Sequence, residues 1–161
     1  MDNIINIGMS DIAFGGGGQI FRIVGLGSCV ALTIYDTDTG YSAMAHVMLP
    51  KSTHTVPKDS SPGKFADTAV NYIIGKYISE GISISSLRAK IAGGSCMFRK
   101  IEGGKLNIGE KNTLSIKKIL KNLNIPLVAE DTGGSHGRTV EFYPDSKKLV
   151  INSHRFGKII I

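Results

Sequence analysis

Residues 30–49, VALTIYDTDTGYSAMAHVML, decide the fold. Two apolar segments rich in strand-forming residues, 30–35 and 41–49, flank the polar run Asp36-Thr37-Asp38-Thr39-Gly40. Such runs, separated by turn residues, are typical of a β-hairpin. If the loop has an even number of residues, Cys29 lies opposite Met48 and His46 points to the same face as Cys29. A loop with an odd number would put the two on opposite faces, because strand side chains alternate.

Two amphipathic segments predict helices on either side of more strands. The first opens at Ser61-Pro62, with Ser61 as N-cap and Pro62 at the first helical position, and ends at Gly81. The second runs from about 107 to 122, where Asn107 and Glu110 resemble a capping box. The remaining strands are predicted at 4–9, 19–24, 87–92, 127–130, 139–143, 148–152 and 158–161. We expect loops at the tetraglycine 15–18 and at 51–61.

Many strands with two main helices predict an α+β fold, a layered sandwich of mostly antiparallel or mixed sheet, in a single domain over residues 1–161. With 42% hydrophobic and 20% charged residues, the chain has enough apolar material for a packed core. No apolar run approaches the roughly 20 residues that cross a bilayer, and residues 1–10 lack the pattern of a signal peptide. We therefore expect a cytoplasmic protein without membrane insertion.

The net charge of +6 favours an acidic protein partner over nucleic acid. The 19 basic residues are scattered, without the basic patch and aromatic module typical of nucleic-acid binding. Gly25-Leu26-Gly27 lacks the third glycine of a dinucleotide-binding motif. Neither cysteine belongs to a metal-binding motif, and the four histidines, His46, His54, His136 and His154, are dispersed. The sequence therefore predicts neither a cofactor nor a metal.

Cys29 is the leading candidate nucleophile, at the point where Gly25-Leu26-Gly27-Ser28 meets an apolar strand. Exposed backbone N–H groups at Gly27 and Ser28 could stabilise both a thiolate and an oxyanion. His46 would supply the base of a cysteine hydrolase, and a neighbouring imidazolium would lower the pKa of the thiol. The alternatives are that Cys29 is a small buried hydrophobe and His46 a half-buried strand histidine.

Two rival nucleophiles exist. The segment 133–137 reads GGSHG and matches the G-x-S-x-G pattern, with Ser135 as nucleophile, but a strand pattern follows where the elbow needs a helix. Cys96 also follows glycines, with no histidine nearby in sequence. It is either a thiol in a substrate-binding loop or a packing residue.

Several motifs together resemble the CheD family, the chemoreceptor glutamine deamidases of bacterial and archaeal chemotaxis. The resemblance covers nearly the whole chain, and the cysteine and histidine segments are its most specific part. It lies in GLGSCV at 25–30, AMAHVMLP at 43–50, GKFADTAV at 63–70, KIAGG at 90–94, NIG at 107–109 and AEDTGG at 129–134.

The resemblance implies a protein-glutamine deamidase with Cys29 and His46 as catalytic residues, acting through a thioester and without a cofactor. It implies a fold related to the cytotoxic necrotizing factor toxins. The implied partners are methyl-accepting chemotaxis receptors and a CheC-type phosphatase of the response regulator.

Ile23 departs from the family pattern, which has a threonine six positions before the cysteine. Isoleucine cannot accept a hydrogen bond from imidazole, so another hydroxyl, a backbone carbonyl or a water would have to orient His46. This departure leaves an alternative function open: a weakly catalytic or non-catalytic binding module that regulates a CheC-type phosphatase.

Overall fold

Two five-stranded sheets make up the strand framework of the computed structural model, which describes residues 3–53, 60–98 and 106–161. The outer sheet contains, in spatial order, β1 (Asn3–Asn6), β3 (Gln19–Leu26), β8 (Arg138–Tyr143), β9 (Lys148–Ser153) and β10 (Gly157–Ile160). The central sheet contains β2 (Ile12–Gly15), β5 (Ser42–Val47), β4 (Val30–Asp36), β6 (Leu87–Gly93) and β7 (Leu127–Thr132). The pairs β1–β3 and β6–β7 are parallel and the other pairs antiparallel, so both sheets are mixed.

The two long helices are α1 (Ala66–Ser79) and α2 (Ile108–Asn122). The prediction for α2 is confirmed, since the Asn107 side chain accepts a hydrogen bond from the Glu110 N–H at 2.9 Å. Gly81, with φ +79°, follows α1 as predicted. Together with the strands, these helices confirm the α+β class.

The predicted N-cap of α1 is wrong. Ser61 makes no capping hydrogen bond, and Pro62–Lys64 form a separate 3₁₀ turn. Phe65 is extended because it forms a parallel bridge with Leu49, and the Ala66 N–H donates to the Leu49 carbonyl at 2.9 Å. The α-helix therefore starts at Ala66, later than predicted.

Side chains of the central sheet alternate between its two faces, and one face packs against the helices while the other packs against the outer sheet. Even-numbered residues of β4 pack under the helices, and Ala31 and Tyr35 face the outer sheet. On β5, Met44 faces the outer sheet, and Ala43, Ala45 and Val47 face the helices. The order is helices, central sheet, outer sheet, so the central sheet, which carries His46 and whose strand β4 begins directly after Cys29, is covered on both faces.

The β4–β5 hairpin fixes the register of the site. Its loop has four residues, 37–40, and the Asp36 N–H donates to the Tyr41 carbonyl at 2.9 Å. The Asp36 carboxylate accepts hydrogen bonds from the Thr39 and Ser86 hydroxyls at 2.6 and 2.5 Å. Burial opposes ionisation of Asp36, but these bonds outweigh it and hold its pKa below the ordinary value. The loop is even-numbered, although longer than a two-residue loop.

Two segments differ from the sequence prediction or escape it. β2 was not predicted, because its four residues carry too short a pattern to separate from the tetraglycine that follows. The predicted loop at 51–61 lies partly outside the described residues; its described parts, 51–53 and 60–61, contain no helix or strand. None of the described helices is long and apolar enough to cross a membrane.

Candidate active site

The segment from Gly27 to Cys29 joins β3 to β4, and its three carbonyl oxygens are all engaged. The Gly27 carbonyl accepts from the Ser95 N–H at 3.0 Å and the Cys29 carbonyl from the Gly94 N–H at 2.9 Å. The Ser28 carbonyl accepts from an amide side chain on α2 at 3.0 Å. Among the described residues, the Ser28 and Cys29 N–H groups have no acceptor. The N–H of Gly27, which the sequence also predicts as a donor, has no acceptor there either, so all three N–H groups are open to an anion.

The register places Cys29 and His46 on one face of the central sheet. His46 pairs with Ala31, two residues beyond Cys29, as the even-loop prediction requires. Cys29 packs against the core between the sheets, and His46 is 6% exposed. Diagonal neighbours of this kind lie roughly 7–8 Å apart at the backbone, within reach of a thiol and an imidazole that lean together.

The ring of His46 is oriented by a backbone carbonyl. Nδ1 lies 3.4 Å from the carbonyl oxygen of Ile7. A carbonyl can only accept, so Nδ1 carries the proton and Nε2 keeps its lone pair as the basic atom. Ile7 is itself fixed, since its N–H donates to the Arg22 carbonyl of β3 at 2.8 Å.

This carbonyl answers the question that Ile23 raises. Ile23 lies on β3 opposite Val140, is fully buried, and belongs to the apolar core between the sheets. Its side chain offers the imidazole no hydrogen bond. The Ile7 carbonyl instead lies within hydrogen-bond distance of Nδ1, and a backbone carbonyl is one of the three substitutes that the sequence leaves open.

The ionisation states of the pair differ from the expected thiolate and imidazolium. Burial raises the pKa of the Cys29 thiol above its ordinary value. Burial also lowers the pKa of His46, although the Ile7 carbonyl and the charge of Asp11 oppose that shift. Both groups are therefore neutral near pH 7, and the expected lowering of the thiol pKa is corrected to a rise.

A second Gly-Ser-Cys segment, 94–96, lies against the first. The Cys96 thiol donates to the Phe98 carbonyl at 2.8 Å, and the Ser95 hydroxyl to the His136 carbonyl at 2.7 Å. Arg138, whose side chain is 1% exposed, donates to the Ser95 hydroxyl at 2.7 Å and to the Asp131 carboxylate at 3.0 Å. This buried network fixes the loop whose N–H groups hold the Cys29 segment.

Open clefts adjoin both cysteine segments. One of about 470 Å³ is lined by Cys96, His136 and Phe156, among others. A smaller one of about 260 Å³ reaches from Cys96 and Phe98 to Ser28. Cys96 therefore lines the space next to the Cys29 segment.

Two predicted alternatives can be assessed from the geometry. Strand β8 begins at Arg138, directly after Gly137, so Ser135 is not followed by the helix of a serine-hydrolase elbow. His54 lies outside the described residues. Within the described ranges, no group of three or more His, Cys, Asp or Glu side chains could hold a metal ion.

Sequence reasoning missed three polar residues that support the site. Ser95, Asn112 and Arg138 are buried, with exposed fractions of 0%, 0% and 3%. Asn112 left a readable signal, because it is four residues before Ile116 on the apolar stripe of α2. Arg138 and Ser95 left none, since only the fold brings them together with each other, with the Asp131 carboxylate and with the backbone carbonyls that they bind.

The chain matches the family model of CheD chemotactic sensory transduction over residues 48–153. It is 42% identical to the chemoreceptor glutamine deamidases CheD of Bacillus licheniformis and Bacillus subtilis, over 96% of this chain and 93% and 94% of theirs. It is 38% identical to that of Halalkalibacterium halodurans over 98% of both chains. These alignments extend over the β4–β5 region, which lies before the segment that the family model matches.

Proposed function

Since the chain belongs to the CheD family, we propose that it deamidates glutamine side chains of methyl-accepting chemotaxis receptors. The reaction adds water to the amide and yields glutamate and ammonia. The observation that carries the assignment is the placement of Cys29 and His46 on one face, with Nδ1 of His46 donating to the Ile7 carbonyl and Nε2 left basic.

The acylation step follows from that geometry. Nε2 of His46 accepts the Cys29 proton as the sulfur attacks the amide carbon. The oxyanion that forms is held by the N–H groups of Ser28 and Cys29, next to that of Gly27. The imidazolium then donates its proton to the departing nitrogen, ammonia leaves, and a thioester remains on Cys29.

Hydrolysis reverses the roles. His46, neutral again, accepts a proton from water as the water oxygen attacks the thioester carbon. The same two N–H groups hold the second oxyanion. When this intermediate collapses, the carbon–sulfur bond breaks, the sulfur regains a proton from His46, and the glutamate product is released.

The layering of helices, central sheet and outer sheet supports a relation to the cytotoxic necrotizing factor-like cysteine hydrolase fold as part of this proposal. The net charge of +6 supports encounter with acidic helical receptor regions in the cytoplasm. We include binding of a CheC-type phosphatase, which would compete with the receptor for this protein. The family resemblance is the support for that partner.

Mass spectrometry of a glutamine-containing receptor cytoplasmic fragment tests the assignment. We expect amide-to-acid conversion at discrete glutamines with the wild type, and at least a roughly 1,000-fold loss with Cys29→Ala, because no other group replaces the nucleophile. Cys96→Ala is the matched control and should retain conversion. If neither wild type nor Cys29→Ala converts a fragment that both bind, the protein is a binding module, and phosphatase assays with a CheC-type partner become the test of its function.

A further inference from the structure

Asn112 bridges the two segments that carry the candidate catalytic residues. It lies on the buried stripe of α2 with no exposed surface. Its Nδ2 donates to the Ser28 carbonyl at 3.0 Å and to the Met48 carbonyl at 2.9 Å. Ser28 directly precedes Cys29, and Met48 comes two residues after His46.

The orientation of the Asn112 amide is fixed by those partners. Both partners are carbonyl oxygens, which only accept, so the NH₂ group must face them. The amide oxygen is then buried without a partner. An unpaired buried acceptor is destabilising, and leucine at the same place on the stripe would not carry one. The two donated hydrogen bonds account for an amide at this position.

The bridge sits where the strand ladder stops. The last paired residues of β4 and β5 at this end are Val30 and Val47. Beyond them β5 turns away, since the Met48 and Leu49 N–H groups both donate to the Lys64 carbonyl at 3.0 Å. Beyond that pair, no ladder bond among the described residues joins the Cys29 segment to the end of the His46 strand, and Asn112 supplies a connection there.

We propose that Asn112 is a positioning residue, which holds the Cys29 segment and the end of the His46 strand at the separation that proton transfer and attack require. The catalytic part of this inference rests on the proposed deamidase function. The mechanical part, that one amide couples the two segments, does not.

Two variants and one control separate positioning from stability. Asn112→Asp keeps the shape of the side chain but loses the neutral NH₂ group. Asn112→Leu nearly keeps its volume but loses both the NH₂ group and the amide oxygen. Ile116→Val, one turn further along α2, removes one methylene from a fully buried site in the core under the helices, and its apolar side chain makes no hydrogen bond to either segment. The readouts are kcat and KM for ammonia release, and hydrogen exchange of peptides covering 27–31 and 46–50, each beside a thermal melt.

We expect exchange to rise at least about tenfold in both peptides together for Asn112→Leu and Asn112→Asp, because the two segments share one bridge. We expect kcat to fall by about 10- to 100-fold, since small misplacements of reacting groups have effects of that size, with KM changing less than about threefold. Ile116→Val should leave both readouts at wild-type values.

Unchanged exchange in either peptide, or wild-type kcat in both Asn112 variants, overturns the proposal. Loss of activity in proportion to the fall in melting temperature, shared by Ile116→Val, assigns Asn112 a purely structural role and also overturns it. If the wild type itself releases no ammonia, the deamidase assignment fails, while the exchange result still decides whether Asn112 couples the segments.

Discussion

The tripeptide Gly-Ser-Cys occurs twice, at 27–29 and 94–96, and the backbone groups of the two copies are hydrogen-bonded differently. In the first, the carbonyls are bound and the Ser28 and Cys29 N–H groups are free of acceptors among the described residues. In the second, the Gly94 and Ser95 N–H groups are the donors that hold the first copy. One copy presents a thiol beside open N–H groups, and the other supports it.

What surrounds each copy explains the difference. Cys29 enters a buried strand whose neighbour carries His46 on the same face. Cys96 follows Ser95, the fully buried member of its copy, which Arg138 and two carbonyls hold by its hydroxyl. A tripeptide alone therefore does not identify a candidate nucleophile. The strand that follows it and the histidine on the neighbouring strand distinguish the first copy from the second.

Replacing the histidine near each cysteine should give the largest difference in kcat between the two copies. His46→Asn should lower kcat by about 10²–10⁴-fold, because asparagine has no basic atom in place of Nε2. His136→Asn changes a histidine that lines the cleft beside Cys96 and should lower kcat by less than about threefold. Ammonia release under saturating receptor fragment measures both. A larger loss with His136→Asn would assign the base to the Cys96 copy.

Arg138→Met tests whether the second copy depends on its buried network. Removing the guanidinium, which is 1% exposed, leaves the Asp131 carboxylate and the Ser95 hydroxyl without their donor. Loss of a buried hydrogen-bond partner costs about 1–3 kcal/mol. Urea unfolding measures that loss. The control is Arg22→Met, which breaks a partly exposed pair with Glu141 and should cost about 1 kcal/mol or less. Equal losses would show that the network does not stabilise the loop.

The pH dependence of the first copy follows from its neutral resting pair. The pKa of His46 lies below its ordinary 6.5 and that of Cys29 above its ordinary 9.0. We expect kcat/KM to be independent of pH between the pKa of His46 and the pKa of Cys29. Below the pKa of His46 it should fall because the imidazole gains a proton and can no longer act as a base. Above the pKa of Cys29 it should fall because the thiol has lost the proton that the departing ammonia needs. Alkylation of Cys29 by iodoacetamide, followed by mass spectrometry with Cys96 as internal reference, should have its midpoint above pH 9. A midpoint below pH 7 would show that Cys29 and His46 instead rest as a thiolate–imidazolium pair.

Much of this site could be predicted from residue patterns, because it depends on local rules. Alternation and an even-numbered loop placed Cys29 and His46 on one face, and the Asn107 cap located α2. The supporting contacts could not be predicted, because they join residues far apart in sequence: Asn112 reaches back to Ser28, and Ile7 reaches forward to His46. The predicted start of α1 was wrong for the same reason, since a bridge from the distant Leu49 holds Phe65 in an extended conformation.

The smallest expected effect concerns Ile23, beside the first copy. Ile23→Thr keeps a β-branched shape but introduces a hydroxyl into a fully buried apolar position, at a cost of about 1–3 kcal/mol in unfolding free energy. Ile23→Val removes one methylene without adding a polar group and is the matched control. We expect kcat of the two variants to agree within about threefold, because the Ile7 carbonyl already accepts the Nδ1 proton of His46. If kcat of Ile23→Thr is instead tenfold above that of Ile23→Val, the Ile7 carbonyl at 3.4 Å orients the imidazole too weakly. A hydroxyl at position 23 would then improve the orientation of His46.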